Sequence, residues 1–218
     1  MPQTRIKFCG LTRSEDVRLA VELGVDFIGL VFAPRSPRRL LLGQARELRE
    51  LVPEEICVVA LAMDNDAGEV AAIVGHVRPD LLQFHGGEDD AFCAGFGLRY
   101  YKAIAMGGDS EGAHAAIARY PSASGFLFDG HAAGEQGGSG QRFDWRRMPS
   151  LGDRPCLLAG GLDAGNVGLA IRAARPWGVD VSSGIEAAPG VKDGEKMRRF
   201  VEAVRVADSL HAQGAHPA

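Results

Sequence analysis

Residues 5–32 read RIKFCGLTRSEDVRLAVELGVDFIGLVF and contain one complete unit of a repeating pattern. Two short runs rich in β-branched and aromatic residues, RIKFC and DFIGLVF, flank a segment whose apolar residues recur every three to four positions. The runs are typical of buried strands, and the segment between them is typical of an amphipathic helix. Thr12 and Glu15 have the T-x-x-E spacing of a capping box, which predicts that the helix begins beside them. The stretch therefore predicts a strand–helix–strand unit.

The same unit recurs along the chain, with strand-like runs that start roughly 20 to 30 residues apart. The further runs are ICVVALAM from Ile56, DLLQFH from Asp80, YYKAIAM from Tyr100, GFLFD from Gly125, PCLLAGG from Pro155 and VDVSS from Val179. Between them we expect helices, including a sixth at residues 144–150 and one capped by Asn166. Eight units predict a single (β/α)8 TIM barrel of the α/β class over residues 1–208, with a polar tail at residues 209–218 that we expect to fray. An open doubly wound sheet would instead favour a glycine-rich fingerprint directly after the first strand, where this chain has CGLT.

The composition of the 218-residue chain is that of an ordinary globular protein, with 46% hydrophobic and 24% charged residues. A net charge of −4 argues against a nucleic-acid partner, because such proteins favour a basic face. No run approaches the roughly 18 apolar residues of a membrane span, so we expect no membrane partner. The chain enters a strand-like segment within its first residues, and we therefore expect no signal peptide and a cytoplasmic protein.

The four cysteines, Cys9, Cys57, Cys93 and Cys156, lie far apart in the sequence. They form no C-x-x-C pair and have no histidine at metal-ligand spacing, so we expect reduced thiols and no bound metal. Cys57 and Cys156 begin strands at the barrel floor, and Cys93 lies on a helix, so we interpret these three as small core residues. Cys9 differs from them because it ends the first strand.

In barrels of this kind the catalytic groups lie at the carboxyl ends of the strands and in the loops that follow. Cys9 ends the first strand and Asp129 ends the sixth, so we expect both to face one cavity. A thiol, with an ordinary pKa of about 8.5, serves as a base if nearby positive charge lowers that pKa. A partly desolvated carboxyl group keeps its proton and serves as an acid. We therefore predict an acid–base pair, although either residue alone is also compatible with a structural role.

Glycine and serine pairs follow the last two strands. Gly160 and Gly161 end the seventh strand, and Ser182, Ser183 and Gly184 end the eighth. Glycines let the backbone approach an anion, and serine hydroxyls and backbone N–H groups donate hydrogen bonds to it. One such turn is common in any α/β protein, but two at neighbouring strand ends predict a phosphate site. A small phosphorylated molecule is therefore the expected ligand.

Further charged and polar side chains are predicted at the same rim or just inside it. The loop after the second strand carries Arg35, Arg38 and Arg39, of which we expect two to be solvated and one to bind a substrate carboxylate through two hydrogen bonds. Gln83 and His85 share one face of the fourth strand and should point into the barrel mouth, although His85 is equally compatible with a structural role. Lys7 and Asp180 are expected to form an internal ion pair, which we interpret as structural.

Several stretches together resemble one known family. They are KFCGLTRSEDVRLAVELGVDFIGLVFAPRSPR, LLQFHG, FLFDG with GGSGQRFDW, LAGGLDAGNV and VDVSSGIEAAPGVKD. In this order they are similar to phosphoribosylanthranilate isomerase of tryptophan synthesis, and the similarity covers nearly all of residues 5–206. The K-x-C-G start and the D-V-S-S-G-I-E ending make the match specific.

The resemblance implies a cofactor-free (β/α)8 barrel that converts N-(5-phosphoribosyl)anthranilate into 1-(2-carboxyphenylamino)-1-deoxyribulose 5-phosphate by an Amadori rearrangement. It implies that Cys9 is the general base, that Asp129 is the general acid and that Arg38 binds the anthranilate carboxylate. The turns at residues 160–161 and 182–184 would hold the phosphate. We expect a monomer or a homodimer.

Two alternatives stay open on the sequence. A related phosphosugar isomerase of histidine synthesis uses two aspartates, so a cysteine at the end of the first strand argues against it. A non-catalytic phosphate-binding barrel that serves as a partner subunit would need neither Cys9 nor Asp129. Turnover of the substrate separates an enzyme from such a subunit.

Overall fold

A computed structural model of the chain describes residues 3–107, 110–130, 143–149 and 151–214. Eight parallel strands close into a barrel in chain order, and β1 pairs with β8. The strands are β1 Arg5–Cys9, β2 Phe27–Val31, β3 Cys57–Ala62, β4 Leu81–Phe84, β5 Tyr100–Ala105, β6 Gly125–Asp129, β7 Cys156–Leu158 and β8 Gly178–Val181. The predicted (β/α)8 barrel is confirmed.

Helices follow most strands and cover the outside of the barrel. They are α1 Ser14–Glu22, α2 Leu42–Arg49, α3 Ala67–Val77, α4 Asp90–Ala94, α5 Ser110–Ala118, α6 Val167–Ala174 and α7 Gly194–Gly214. A short antiparallel ribbon, β9 Glu186–Ala188 and β10 Val191–Lys192, lies between β8 and α7. Helix α7 extends past residue 209, so the first part of the segment expected to fray is helical, and residues 215–218 lie outside the described part.

The connection between β6 and β7 differs from the prediction. The described residues 143–149 contain a 3-10 turn at Trp145–Arg147, where the sequence predicted a helix at residues 144–150. Met148 is extended, with φ −62° and ψ 123°. Pro149 explains the difference, because the residue before a proline is disfavoured in the α conformation.

The capping box predicted at Thr12 and Glu15 does not form. Helix α1 begins at Ser14, and no side chain caps its N-terminus. The Thr12 hydroxyl instead donates a hydrogen bond to the backbone oxygen of Gly190, in the turn of the β9–β10 ribbon. The prediction was wrong because this long-range contact, which ties the first loop to the loop after β8, takes the hydroxyl that a local cap would use.

Apolar side chains fill the barrel from its floor upward. The outward faces of the strands pack against the helices in one large core. Inside the barrel a second cluster closes the lower part, formed by Phe27, Val59, Leu81, Tyr101, Ala103, Leu127, Leu157 and Ala159. Open space inside the barrel is therefore left at the carboxyl ends of the strands.

The cysteines lie where the sequence predicted, and all four are free thiols. Cys57 and Cys156 are the first residues of β3 and β7, at the barrel floor. Cys93 is fully buried in α4. Cys9 ends β1 at the opposite end of the barrel.

Candidate active site

A cavity of about 470 Å³ opens at the carboxyl ends of the strands. Eight of the predicted site residues line it: Cys9, Arg38, His85, Asp129, Gly160, Gly161, Ser182 and Ser183. They come from six different strand ends or loops along the chain, and the closed barrel brings them together. The cavity can hold a small molecule that touches a thiol, a carboxyl group, a guanidinium group and two glycine- or serine-rich turns.

Gln83 and Gly184 lie behind the cavity wall. Gln83 is fully buried in β4, and its Nε2 donates a hydrogen bond to Nε2 of His85. Gln83 therefore orients His85. A Cβ atom at Gly184 would lie 1.9 Å from the backbone oxygen of Leu162, so only glycine allows the loop after β8 to pass this close to the loop after β7.

Cys9 places a thiol at the edge of the cavity, where the residue is 5% exposed. Burial raises the pKa of Cys9, while the positive charges of Lys7 and Lys192 act against that rise. The net pKa is above its ordinary value, which is opposite to the lowering that the sequence analysis invoked. Deprotonation of this thiol therefore depends on the charges around it.

Asp129 ends β6, so β7 and β8 separate it from Cys9 around the barrel. The backbone N–H of Met106 donates to the Asp129 carbonyl oxygen at 2.8 Å, which anchors the strand end. Asp180 of β8 lines the same cavity. Burial raises the pKa of the Asp180 carboxyl, Lys7 lowers it, and the nearby Asp129 charge raises it further. The two carboxyl groups therefore interact electrostatically.

Arg38 lines the cavity but is already held by a carboxylate. Its Nε and Nη2 donate to the two oxygens of Glu186, each at 2.7 Å. The hydrogen bonds to Glu186 raise the pKa of Arg38, so the guanidinium group stays charged. Gly10, at φ +73°, gives the arginine room, because a Cβ atom there would lie 2.4 Å from its Cδ. This bidentate pair fixes the guanidinium plane at the cavity wall.

Lys192 and Glu186 belong to the site, and the sequence analysis missed them. The Lys192 ammonium is fully buried and donates to Glu186 Oε1 at 2.8 Å, to the Cys9 carbonyl at 2.7 Å and to the Ser182 carbonyl at 3.1 Å. Lys192 thus connects the ends of β1 and β8 to Glu186, the carboxylate that binds Arg38. Both residues belong to the stretch GIEAAPGVKD, directly after the predicted phosphate turn at residues 182–184. Two opposite charges so close to that turn were the signal in the sequence that could have indicated their role.

The turn after β7 has two consecutive glycines in the left-handed region of backbone conformation. Gly160 and Gly161 have φ values of +89° and +59°. The Asn166 side chain donates to the Gly161 carbonyl at 2.8 Å and accepts from the Asp163 N–H at 3.0 Å. Asn166 precedes α6 as predicted, but its side chain makes no cap and instead closes this turn. These bonds close the turn next to the 3-10 turn at Ser183–Ile185, where Gly184 approaches the backbone of Leu162.

Residues 6–203 match the family model of N-(5'phosphoribosyl)anthranilate (PRA) isomerase. The chain belongs to the PRA isomerase family. The match spans the barrel from β1 into α7, so it includes every strand end that lines the cavity.

Individual relatives match the chain over nearly their full length. The N-(5'-phosphoribosyl)anthranilate isomerase of Xanthomonas campestris pv. campestris (strain 8004) is 56% identical over 94% of this chain and 95% of its own. The enzyme of the same name from Xylella fastidiosa (strain M23) is 53% identical over 97% of this chain and 96% of its own.

Solved structures of PRA isomerases superpose on the barrel. The Thermotoga maritima enzyme has a TM-score of 0.82 at 30% identity, covering 94% of this chain and 100% of that chain. A phosphoribosyl anthranilate isomerase solved in complex with reduced 1-(o-carboxyphenylamino)-1-deoxyribulose 5-phosphate has a TM-score of 0.79 at 28% identity, with the same coverage.

The described residues contain no cluster of three or more histidine, cysteine or carboxylate side chains arranged to hold a metal ion. Within the same part of the chain, no helix is both long enough and apolar enough to cross a membrane.

Proposed function

We propose that this PRA isomerase family member rearranges N-(5-phosphoribosyl)anthranilate to 1-(2-carboxyphenylamino)-1-deoxyribulose 5-phosphate, with Asp129 as the acid and Cys9 as the base. The supporting observation is that one cavity at the strand ends holds this carboxyl group and this thiol, together with Arg38 and two turns suited to phosphate. Related phosphosugar isomerases of histidine synthesis use an aspartate where this chain has Cys9. A non-catalytic barrel has no use for the pair.

In the first step Asp129 donates its proton to the ring oxygen of the phosphoribosyl group. The bond between C1′ and that oxygen breaks, and the nitrogen lone pair of anthranilate forms a C1′=N bond. The sugar is then an open-chain Schiff base with a positive nitrogen. Proton transfer by a positioned group typically accelerates such a step by about a hundred- to ten-thousandfold.

In the second step the Cys9 thiolate removes the proton from C2′. The electron pair of that C–H bond forms a C1′=C2′ double bond and neutralises the nitrogen, which gives an enolamine. The enolamine takes a proton at C1′ and loses the proton of its 2′-hydroxyl group, so the product is a ketone. One acid and one base complete this isomerisation without net oxidation.

The substrate is anchored at both ends in this proposal. The Nε and Nη2 edge of Arg38 is occupied by Glu186, which leaves Nη1 for the anthranilate carboxylate. The phosphate lies at the turns of residues 160–161 and 182–184, behind which the buried Lys192 supplies a positive charge. Holding both ends places C1′ and C2′ between the acid and the base.

The direct test is turnover of freshly prepared N-(5-phosphoribosyl)anthranilate, followed by the change in anthranilate-type fluorescence. We expect catalytic turnover with this substrate and none with the phosphosugar substrate of histidine synthesis. Turnover of the phosphosugar substrate of histidine synthesis at a similar kcat/KM would contradict the assignment to N-(5-phosphoribosyl)anthranilate alone. No turnover of either substrate would favour the binding-subunit alternative.

We also propose that the protein works in the cytoplasm as a monomer or a homodimer, without a nucleic-acid, membrane or cofactor partner. The negative net charge argues against a nucleic-acid partner. The related Thermotoga maritima enzyme is dimeric and has been solved as monomers derived from that dimer. Sedimentation of the purified chain with and without product separates the two states.

Ser183→Asp should abolish phosphate binding. A carboxylate at this turn would lie against the phosphate dianion, and like charges about 4 Å apart repel strongly in a partly desolvated site. We expect inhibition by the product to weaken at least about a hundredfold, whereas the neutral control Ser183→Asn should change it less than about tenfold. Inhibition constants measured for both variants, with circular dichroism as the folding check, decide this. Equal constants for the two variants would move the phosphate elsewhere.

A further inference from the structure

Lys7 is a lysine whose side chain is 0% exposed inside the barrel. Its Nζ donates to Asp180 Oδ1 at 2.7 Å, which confirms the predicted ion pair. Lys7 is two residues before Cys9 on β1, so both side chains point into the barrel. Burying an ammonium group is costly, and a neutral side chain would suffice if this position only filled space.

Gly29 shows how close the ammonium group and the thiol are. A Cβ atom at this position of β2 would lie 2.9 Å from Cys9 Sγ and 3.2 Å from Lys7 Nζ. The sulfur and the nitrogen therefore border the same small space, which exists because β2 has no side chain there. An alanine would push into both groups.

We propose that Lys7 is a positioning residue that stabilises the thiolate of Cys9, and that Asp180 sets how much of the Lys7 charge the thiolate receives. This inference rests on the proposed function, in which Cys9 is the base. It also changes the interpretation of the Lys7–Asp180 pair, which the sequence analysis treated as structural.

Charges face Cys9 from four elements: Lys7 on β1, Asp180 on β8, Lys192 on β10 and Arg38 in the loop after β2. Arg38 and Lys192 are both bound to Glu186, which offsets part of their charge. Lys7 Nζ borders the same space as the Cys9 sulfur, whereas Lys192 binds the carbonyl oxygen of Cys9. Lys7 is thus the cation placed to stabilise the negative charge on the Cys9 sulfur.

Asp180 has two opposing effects on this arrangement. Burial alone would lower the pKa of Lys7, but the Asp180 carboxylate and Cys9 raise it above its ordinary value, so the lysine remains cationic. At the same time the negative charge of Asp180 raises the pKa of Cys9. The carboxylate and the thiolate therefore compete for one ammonium group. Removing Lys7 should raise the pKa of Cys9, and removing the charge of Asp180 should lower it.

The experiment measures the rate of iodoacetamide labelling at Cys9 against pH by mass spectrometry, together with the pH profile of kcat/KM. An opposite charge within roughly 4–6 Å moves a pKa by about one to three pH units. In Lys7→Met we expect the labelling midpoint to rise by at least about one pH unit. In Asp180→Asn we expect it to fall. A purely structural ion pair would move neither midpoint, or both in the same direction, and that result would overturn the proposal.

Two further variants keep the test decisive. Lys7→Met/Asp180→Asn removes both buried charges, which proteins tolerate better than removal of one partner. Its labelling midpoint should exceed that of Asp180→Asn, and equal midpoints would overturn the proposal even if Lys7→Met does not fold.

The matched control is Lys102→Met, which breaks another buried ion pair, with Glu88. Tyr101 and Ala103 of β5 point into the barrel, so Lys102 between them points outward, away from Cys9. This control should leave the Cys9 midpoint unchanged, and a shift as large as that in Lys7→Met would overturn the proposal.

The two readouts separate this inference from the proposed function. If the labelling midpoints move as expected and the acid limb of kcat/KM follows them, both are supported. If labelling moves and the kcat/KM profile does not, Lys7 still controls the thiol but Cys9 is not the base.

Discussion

Asp129→Asn should lower kcat by at least about a thousandfold. The amide has nearly the shape of the carboxyl group but has no acidic proton for the ring oxygen, so ring opening stops. The turns at residues 160–161 and 182–184 and the side chain of Arg38 are untouched, and a product analogue should bind within about threefold of its affinity for the unmodified protein. Single-turnover kinetics and analogue titration measure the two effects separately.

The control for this change is Asp153→Asn, an exposed residue shortly before the start of β7 and therefore at the opposite end of the barrel. It should keep full activity. If Asp129→Asn kept a tenth of the turnover, the acid would have to be another group, and Asp180 on the same cavity would be the next candidate.

Cys9→Ala should abolish turnover to a similar degree and remove the most rapid alkylation of the protein. Burial raises the pKa of all four thiols, to about 11 for Cys57 and Cys156 and to about 12 for Cys93, but Cys9 is the thiol that lines the cavity and lies beside the Lys7 ammonium group. Thiolates react and thiols do not, so iodoacetamide should label Cys9 first, with parallel loss of activity and protection by a product analogue.

The pH dependence of this chemistry has a definite sign. A base acts only when deprotonated, so kcat/KM should rise with pH until Cys9 is ionised and fall away as the pH is lowered. Cys57→Ala, at the barrel floor, is the matched control and should retain both turnover and the fast label. Rapid labelling at Cys93 with full activity would return Cys9 to the role of a core thiol.

Local sequence determined the architecture of this protein. Strands such as RIKFC and DFIGLVF and the helices between them follow from the spacing of apolar residues, which each segment carries independently of its partners. Closure into a barrel then follows from eight such units in one short chain. Because catalytic groups of barrels lie at strand ends, the order of strands alone predicts that Cys9, Asp129 and the turns at residues 160–161 and 182–184 share one rim.

Tertiary structure decided what those residues contact. Thr12 has the local pattern of a cap yet binds Gly190, and Arg38 has the pattern of a free loop arginine yet is held by Glu186. Each pair is separated by more than 140 residues along the chain. No local spacing encodes such contacts, because they exist only once β8 has returned to pair with β1.

The ionisation of Cys9 is the clearest case of this division. The sequence placed a thiol at the end of a strand and a lysine two residues before it, which is a property of period-two alternation. Whether the thiol loses a proton depends on burial, which raises its pKa, and on Lys7, Asp180 and Lys192, which act on it through space. Desolvation and Coulomb interaction depend on distances of a few ångströms in the folded barrel, and those distances are set by packing, not by sequence spacing.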